Sequence, residues 1–80
     1  MKSIKVQYFA LFRDQAACEE ETLQVTSLTY EELYQELSKK HGFDLPQDMV
    51  QVAVNDEFAS MKKEVLTGSK VVFIPPVAGG

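Results

Sequence analysis

Residues Ile4-Lys5-Val6-Gln7-Tyr8-Phe9 alternate with a period of two, the signature of a strand with one buried face. Parity turns Ile4, Val6 and Tyr8 inward and Lys5, Gln7 and Phe9 outward, so Phe9 is an aromatic on a face that begins polar. A loop through Arg13 and Asp14 is predicted next, then a second strand over Glu20-Glu21-Thr22-Leu23-Gln24-Val25, hairpinned to the first. The period then becomes helical. Tyr30, Leu33, Tyr34 and Leu37 form one apolar face, with Thr29 as N-cap and Glu32 completing a capping box. Leu28 and Leu33 have staple spacing, Lys39, Lys40 and His41 suit the negative end of the helix dipole, and Gly42 supplies a left-handed stop. Phe43 to Asp48, with Pro46, reads as a connector. Val50 to Val54 alternates again with Val52 and Val54 inward, Asn55-Asp56 is a turn, and Phe58-Ala59 is a short return strand. A turn at Leu66-Thr67-Gly68-Ser69 leads into a last strand, Val71-Val72-Phe73-Ile74. This order predicts an α+β fold: a mixed sheet with one main helix packed on one face.

Proline ends the last strand. Pro75 and Pro76 hold the chain extended, Val77 and Ala78 are small, and Gly79 and Gly80 carry no side chain. Six extended residues reach roughly 20 Å. The expected division is a folded domain over residues 1–74 and a flexible tail over residues 75–80, a slim stalk that presents the α-carboxylate of Gly80 as a reagent.

Composition narrows the chemistry. Eighty residues with 45% hydrophobic and 25% charged content suit one small globular domain. A net charge of −4 argues against nucleic acid, which needs a basic face. No apolar h-region follows Met1 and no apolar run approaches a membrane span, so neither a signal peptide nor a membrane role is expected. A single cysteine and a single histidine supply no disulfide and no metal-ligand set, in keeping with a reducing cytoplasm. Cys18 reads as an incidental loop thiol, His41 as a complement to the helix dipole, and Glu19-Glu20-Glu21 as a solvated acidic stretch. Phe9 has two readings: a strand-end residue folded back on the core, or a contact for a partner.

Four segments together resemble a known family. They are Val6-Gln7-Tyr8-Phe9-Ala10 with Arg13 three residues on, Val52-Ala53-Val54-Asn55, the Gly68 turn, and the terminal Phe73-Ile74-Pro75-Pro76-Val77-Ala78-Gly79-Gly80. These resemble the small subunit of molybdopterin synthase, a MoaD-type sulfur carrier of the ubiquitin-like β-grasp superfamily. Where that family usually has acidic residues after the turn glycine, this chain has Ser69-Lys70. The resemblance implies that a MoeB-type activating enzyme uses ATP to adenylate Gly80, and that a sulfur donor converts the adenylate into a thiocarboxylate. It implies that a MoaE-type large subunit, in a heterotetramer, accepts the tail for sulfur transfer to a cyclic pyranopterin precursor, forming the molybdopterin dithiolene. The chain would then be no catalyst alone and hold no permanent cofactor. By the same resemblance Gly80 is the reacting residue and Gly79 gives clearance. Phe9, Arg13, Phe58, Ile74, Pro75, Pro76, Val77 and Ala78 meet the partner. Alternatives of related chemistry are a carrier for thiamin-thiazole synthesis and a ubiquitin-like protein modifier; a plain interaction domain is the reading without tail chemistry.

Overall fold

Alternation at the start of the chain becomes β1, Lys2–Tyr8, in which Ile4, Val6 and Tyr8 are buried, while Phe9 beyond it is exposed. The computed structural model describes residues 1–26 and 29–76. Strand β2, Glu20–Val25, pairs antiparallel with β1 from Lys2↔Val25 to Gln7↔Glu20. The connection between them is a helix, α1, Ala10–Ala16, where the sequence pattern predicts a loop. Phe9 is its N-cap without a side-chain bond, Phe12 is its one buried residue, and Ala17 closes it in the left-handed region at φ 60°. With a single buried position, α1 has no periodic apolar stripe to betray it.

The second helix, α2, spans Tyr30–His41 and buries Tyr30, Leu33, Tyr34 and Leu37. Its N-cap is as the sequence predicts: the Glu32 amide donates to Thr29 Oγ1 at 3.2 Å. Its end is too: Gly42 sits at φ 73° and donates its amide to the Ser38 carbonyl at 2.7 Å. The Leu28 half of the predicted staple lies outside the described residues. After α2, Phe43 turns into the core and a single 3₁₀ turn, Gln47–Met49, follows Pro46.

Strands β3, Gln51–Val54, and β4, Glu57–Ala59, flank a two-residue turn, with Asn55 at φ 52° and Asp56 at φ 72°. Two positive φ values in succession fit the hairpin turns whose twist matches the sheet, and asparagine and aspartate tolerate them. At Gly68, φ 79°, the chain turns again and the Gly68 amide donates to the Ser3 carbonyl at 2.6 Å. Ser69 is buried with its hydroxyl donating to the Leu66 carbonyl, and Lys70 reaches Asp56 at 2.8 Å. Strand β5, Lys70–Ile74, then inserts parallel to β1 and antiparallel to β3, completing a five-stranded sheet of order β2-β1-β5-β3-β4.

Registers assign the two faces. Val6, Tyr8, Val52, Val54, Val71 and Phe73 face α2 and form the core with Leu33, Tyr34, Leu37, Phe12 and Phe43. The opposite face carries Lys5, Gln7, Val72, Ile74, Ala53 and Phe58. No helix of the described residues is long and apolar enough to cross a membrane.

Candidate functional site: an apolar groove beside Pro75 and Pro76

Strand β5 ends at Ile74, and the chain leaves the sheet through Pro75 and Pro76. Beside this exit lies a groove of about 570 Å³ lined by Phe9, Ala10, Leu11, Leu45, Ile74, Pro75 and Pro76. Every lining side chain is apolar. Phe9 is 52% exposed and Leu11 40%, so both offer hydrophobic area to something else. The exposure of Phe9 removes one of its two readings: it is not folded into the core. Ala10 adopts φ 49°, a left-handed conformation in which a Cβ is strained, at the point where the chain turns from β1 into α1.

Four residues predicted to meet a partner, Phe9, Ile74, Pro75 and Pro76, are therefore brought together. Arg13 is exposed on α1 and lines a smaller hollow of about 210 Å³ that shares Phe9 with the groove and also holds Glu19 and Glu20. Phe58 stands apart. It is 73% exposed on β4 at the sheet edge, pairs with Ala53, and lines a different hollow with Tyr30, Lys63 and Leu66. Val77, Ala78, Gly79 and Gly80 lie outside the described residues. Leu11 and Leu45 were missed by sequence reasoning. The available signals were a leucine two residues after an outward-facing aromatic and a leucine immediately before a proline.

An aromatic layer adjoins the groove at Leu45. The Phe12 ring packs on Phe43 with centroids 4.8 Å apart, and Tyr34 stacks on Phe43 at 6.0 Å. The Tyr34 hydroxyl donates to the Leu45 carbonyl at 2.6 Å, pinning the Leu45 wall. Tyr8 meets Phe43 edge-on at 5.8 Å, and His41 meets both Tyr8 and Phe43. Burial pushes the Tyr8 hydroxyl far up, and its hydrogen bond to the Glu21 carboxylate, the charge of Glu21 and the Cys18 thiol add to that push. Glu21 is not the solvated residue the acidic run predicts. Burial opposes its ionisation, yet bonds from Tyr8, Lys40 and His41 outweigh this and hold its carboxyl below the ordinary glutamate value. His41 does end α2, as a dipole complement should, but its Nε2 also lies 2.6 Å from Glu21 Oε2.

Comparison with known proteins adds identity to this geometry. The profile of the ThiS family matches residues 6–80. The chain belongs to the ThiS family. A Pyrococcus furiosus protein described as a molybdopterin converting factor, subunit 1, shares 30% identity with this ThiS-family chain at a TM-score of 0.78, with 96% of this chain and 100% of that one covered. Small archaeal modifier protein 1 of H. volcanii superposes at a TM-score of 0.79 with 20% identity, covering 96% and 100%. Subunit 1 or 2 in the Helicobacter pylori complex of subunits 1 and 2 of the molybdopterin-converting factor matches at a TM-score of 0.64 with 22% identity, covering 98% and 99%. No curated protein matches the sequence. The fold is the ubiquitin-like β-grasp, and the ThiS-family chain is a ubiquitin-like carrier of the ThiS/MoaD kind.

Proposed function

We propose that this chain is the sulfur-carrier small subunit of a molybdopterin synthase. The observation that carries the reading is the apolar groove at the chain's exit from the sheet, where Phe9, Ile74, Pro75 and Pro76 converge. A surface of this kind seats a partner and thereby fixes where the residues after Pro76 are delivered. The 30% identity to the Pyrococcus protein supports the same reading, as does the existence of a two-subunit complex in Helicobacter.

The chemistry starts from a poor electrophile. Attack of the Gly80 carboxylate on the α-phosphorus of ATP, on a MoeB-type enzyme, releases pyrophosphate and leaves an acyl-adenylate. Sulfide-level sulfur then attacks the acyl carbon, AMP departs, and a thiocarboxylate remains. Its nucleophilic sulfur bonds to a carbon of a pyranopterin precursor on a MoaE-type large subunit in a heterotetramer, displacing an oxygen substituent. Water then attacks the Gly80 acyl carbon, the acyl C–S bond breaks, the sulfur stays on the pterin and the carboxylate is restored. Bare backbone at Gly79 and Gly80 lets two active sites in turn close on the same carbonyl. No permanent cofactor is required of this chain, ATP acts on the activating enzyme, and the cycle runs in the cytoplasm.

The decisive test is intact mass after production with the activating enzyme, followed by transfer with the large subunit. Gain of one oxygen-to-sulfur exchange at Gly80, and its loss as dithiolene forms, is expected; an unchanged mass overturns the proposal. A second reading is favoured by the ThiS family match: delivery of the same sulfur to thiazole synthesis. Co-purification with a thiazole synthase in place of a MoaE-type subunit would select it, and isopeptide-linked conjugates would select a modifier.

A further inference from the structure

Glu21 occupies a core-facing position of β2, in the same parity as Leu23 and Val25, yet carries a charge. Three donors from two other elements converge on its carboxylate. From β1 the Tyr8 hydroxyl donates to Oε2, and from the last turn of α2 His41 Nε2 lies 2.6 Å from the same oxygen, while Lys40 Nζ donates to Oε1 at 3.0 Å. The side chains of Glu21 and His41 are only 18% and 12% exposed. A half-buried carboxylate with three donors is held in one place, since losing a partner leaves a desolvated charge.

What this knot touches gives it a consequence. Tyr8 is the residue before Phe9, and its ring contacts Phe43. Phe43 in turn carries Phe12, the neighbour of Leu11, and lies two residues before Leu45. Phe9, Leu11 and Leu45, which all line the groove, are thus close in the chain to aromatic residues linked through ring contacts to Tyr8, a member of the knot. We infer that Glu21 is a positioning residue for the partner groove, holding Tyr8 and His41 so that the aromatic layer sets the separation of the groove walls. Its role in sulfur delivery rests on the function proposed above; its effect on the groove does not. The charged and titratable groups facing Glu21 and Tyr8 are Lys40 and His41 from α2 and Cys18 from the segment before β2.

The test uses the full chain with Glu21→Gln and Tyr8→Phe, the second keeping the ring and removing only the hydroxyl. Backbone amide shifts of Phe9, Leu11 and Leu45 are recorded against pH alongside the Glu21 carboxyl. In the unmodified protein these amides should follow the Glu21 titration, below the ordinary glutamate range, and in Glu21→Gln they should not. Binding to a MoaE-type subunit should weaken about tenfold in Glu21→Gln without loss of fold. Groove amides that ignore Glu21 titration, with unchanged affinity in both variants, overturn the inference. Should Glu21→Gln not fold, Tyr8→Phe decides by the same amides and the same affinity. If the unmodified protein binds no MoaE-type subunit, the proposed function fails, and the amide titration still decides the role of Glu21.

Discussion

Phe9 combines two jobs that single substitutions can separate. It presents its ring to the groove, and its backbone caps α1, with its carbonyl accepting the Phe12 amide at 3.0 Å. Phenylalanine is a poor N-cap and aspartate a good one. Phe9→Asp is therefore expected to leave thermal stability unchanged or slightly raised while placing an unpaired carboxylate in an apolar contact. That costs several kcal/mol on docking, and each 1.4 kcal/mol is about tenfold in affinity. Calorimetric melting beside titration of the partner subunit checks both halves; a destabilised domain would return Phe9 to the core. At the other end of the site, one residue added after Gly80, or a bulky residue at Gly79, should alter stability by no more than about 0.5 kcal/mol. Either change should abolish thiocarboxylate formation, read by intact mass. Cys18→Ser should retain it, because in the proposed cycle sulfur travels on the terminal carbonyl.

Among the elements, α2 was legible and α1 was not, for physical reasons. The start and stop of α2 are written in local chemistry, Thr29 with the Glu32 amide and Gly42 with Ser38, and its four buried residues recur at helical spacing. Thr29→Ala should consequently cost about 1 kcal/mol, seen as a lower midpoint in urea with an unchanged slope. Helix α1 buries Phe12 alone and has no side-chain cap, so only the helix-forming tendency of its Ala, Leu, Arg and Gln residues marked it. Strand β5 was legible as an apolar run between a turn and a proline, and β1 and β3 by alternation. The same rule, carried across Glu21-Leu23-Val25, places a glutamate on the inward face, but a run of three acidic residues reads as solvated when parity is ignored. The convergence of Leu11 and Leu45 on Ile74 depends on tertiary packing, which no local pattern encodes.

For the whole molecule, the Glu21 knot makes stability depend on acid. The folded-state value of Glu21 lies below its ordinary one. The stability it contributes is thus fully present above the unfolded glutamate value of about 4.3, and is lost as pH falls through the folded value. Urea unfolding across acid pH should show stability falling in that window, and Glu21→Gln should flatten the fall. An equal slope in both proteins would assign the acid sensitivity to other carboxylates.

Sheet order carries a last consequence, for synthesis. β5 is the last strand of the described residues and occupies the middle of the sheet, between β1 and β3. A chain emerging from the ribosome can pair β1 with β2 and β3 with β4, but no strand pairing joins these two halves of the sheet until Lys70–Ile74 is free. Closing the sheet spans nearly the full sequence, which places folding among slow, non-local processes. A truncated chain that ends before β5 leaves two pairs of strands without the strand that lies between them. Proteases are expected to digest such a chain faster than the full one, so that the copies that last are those whose synthesis has run through Ile74.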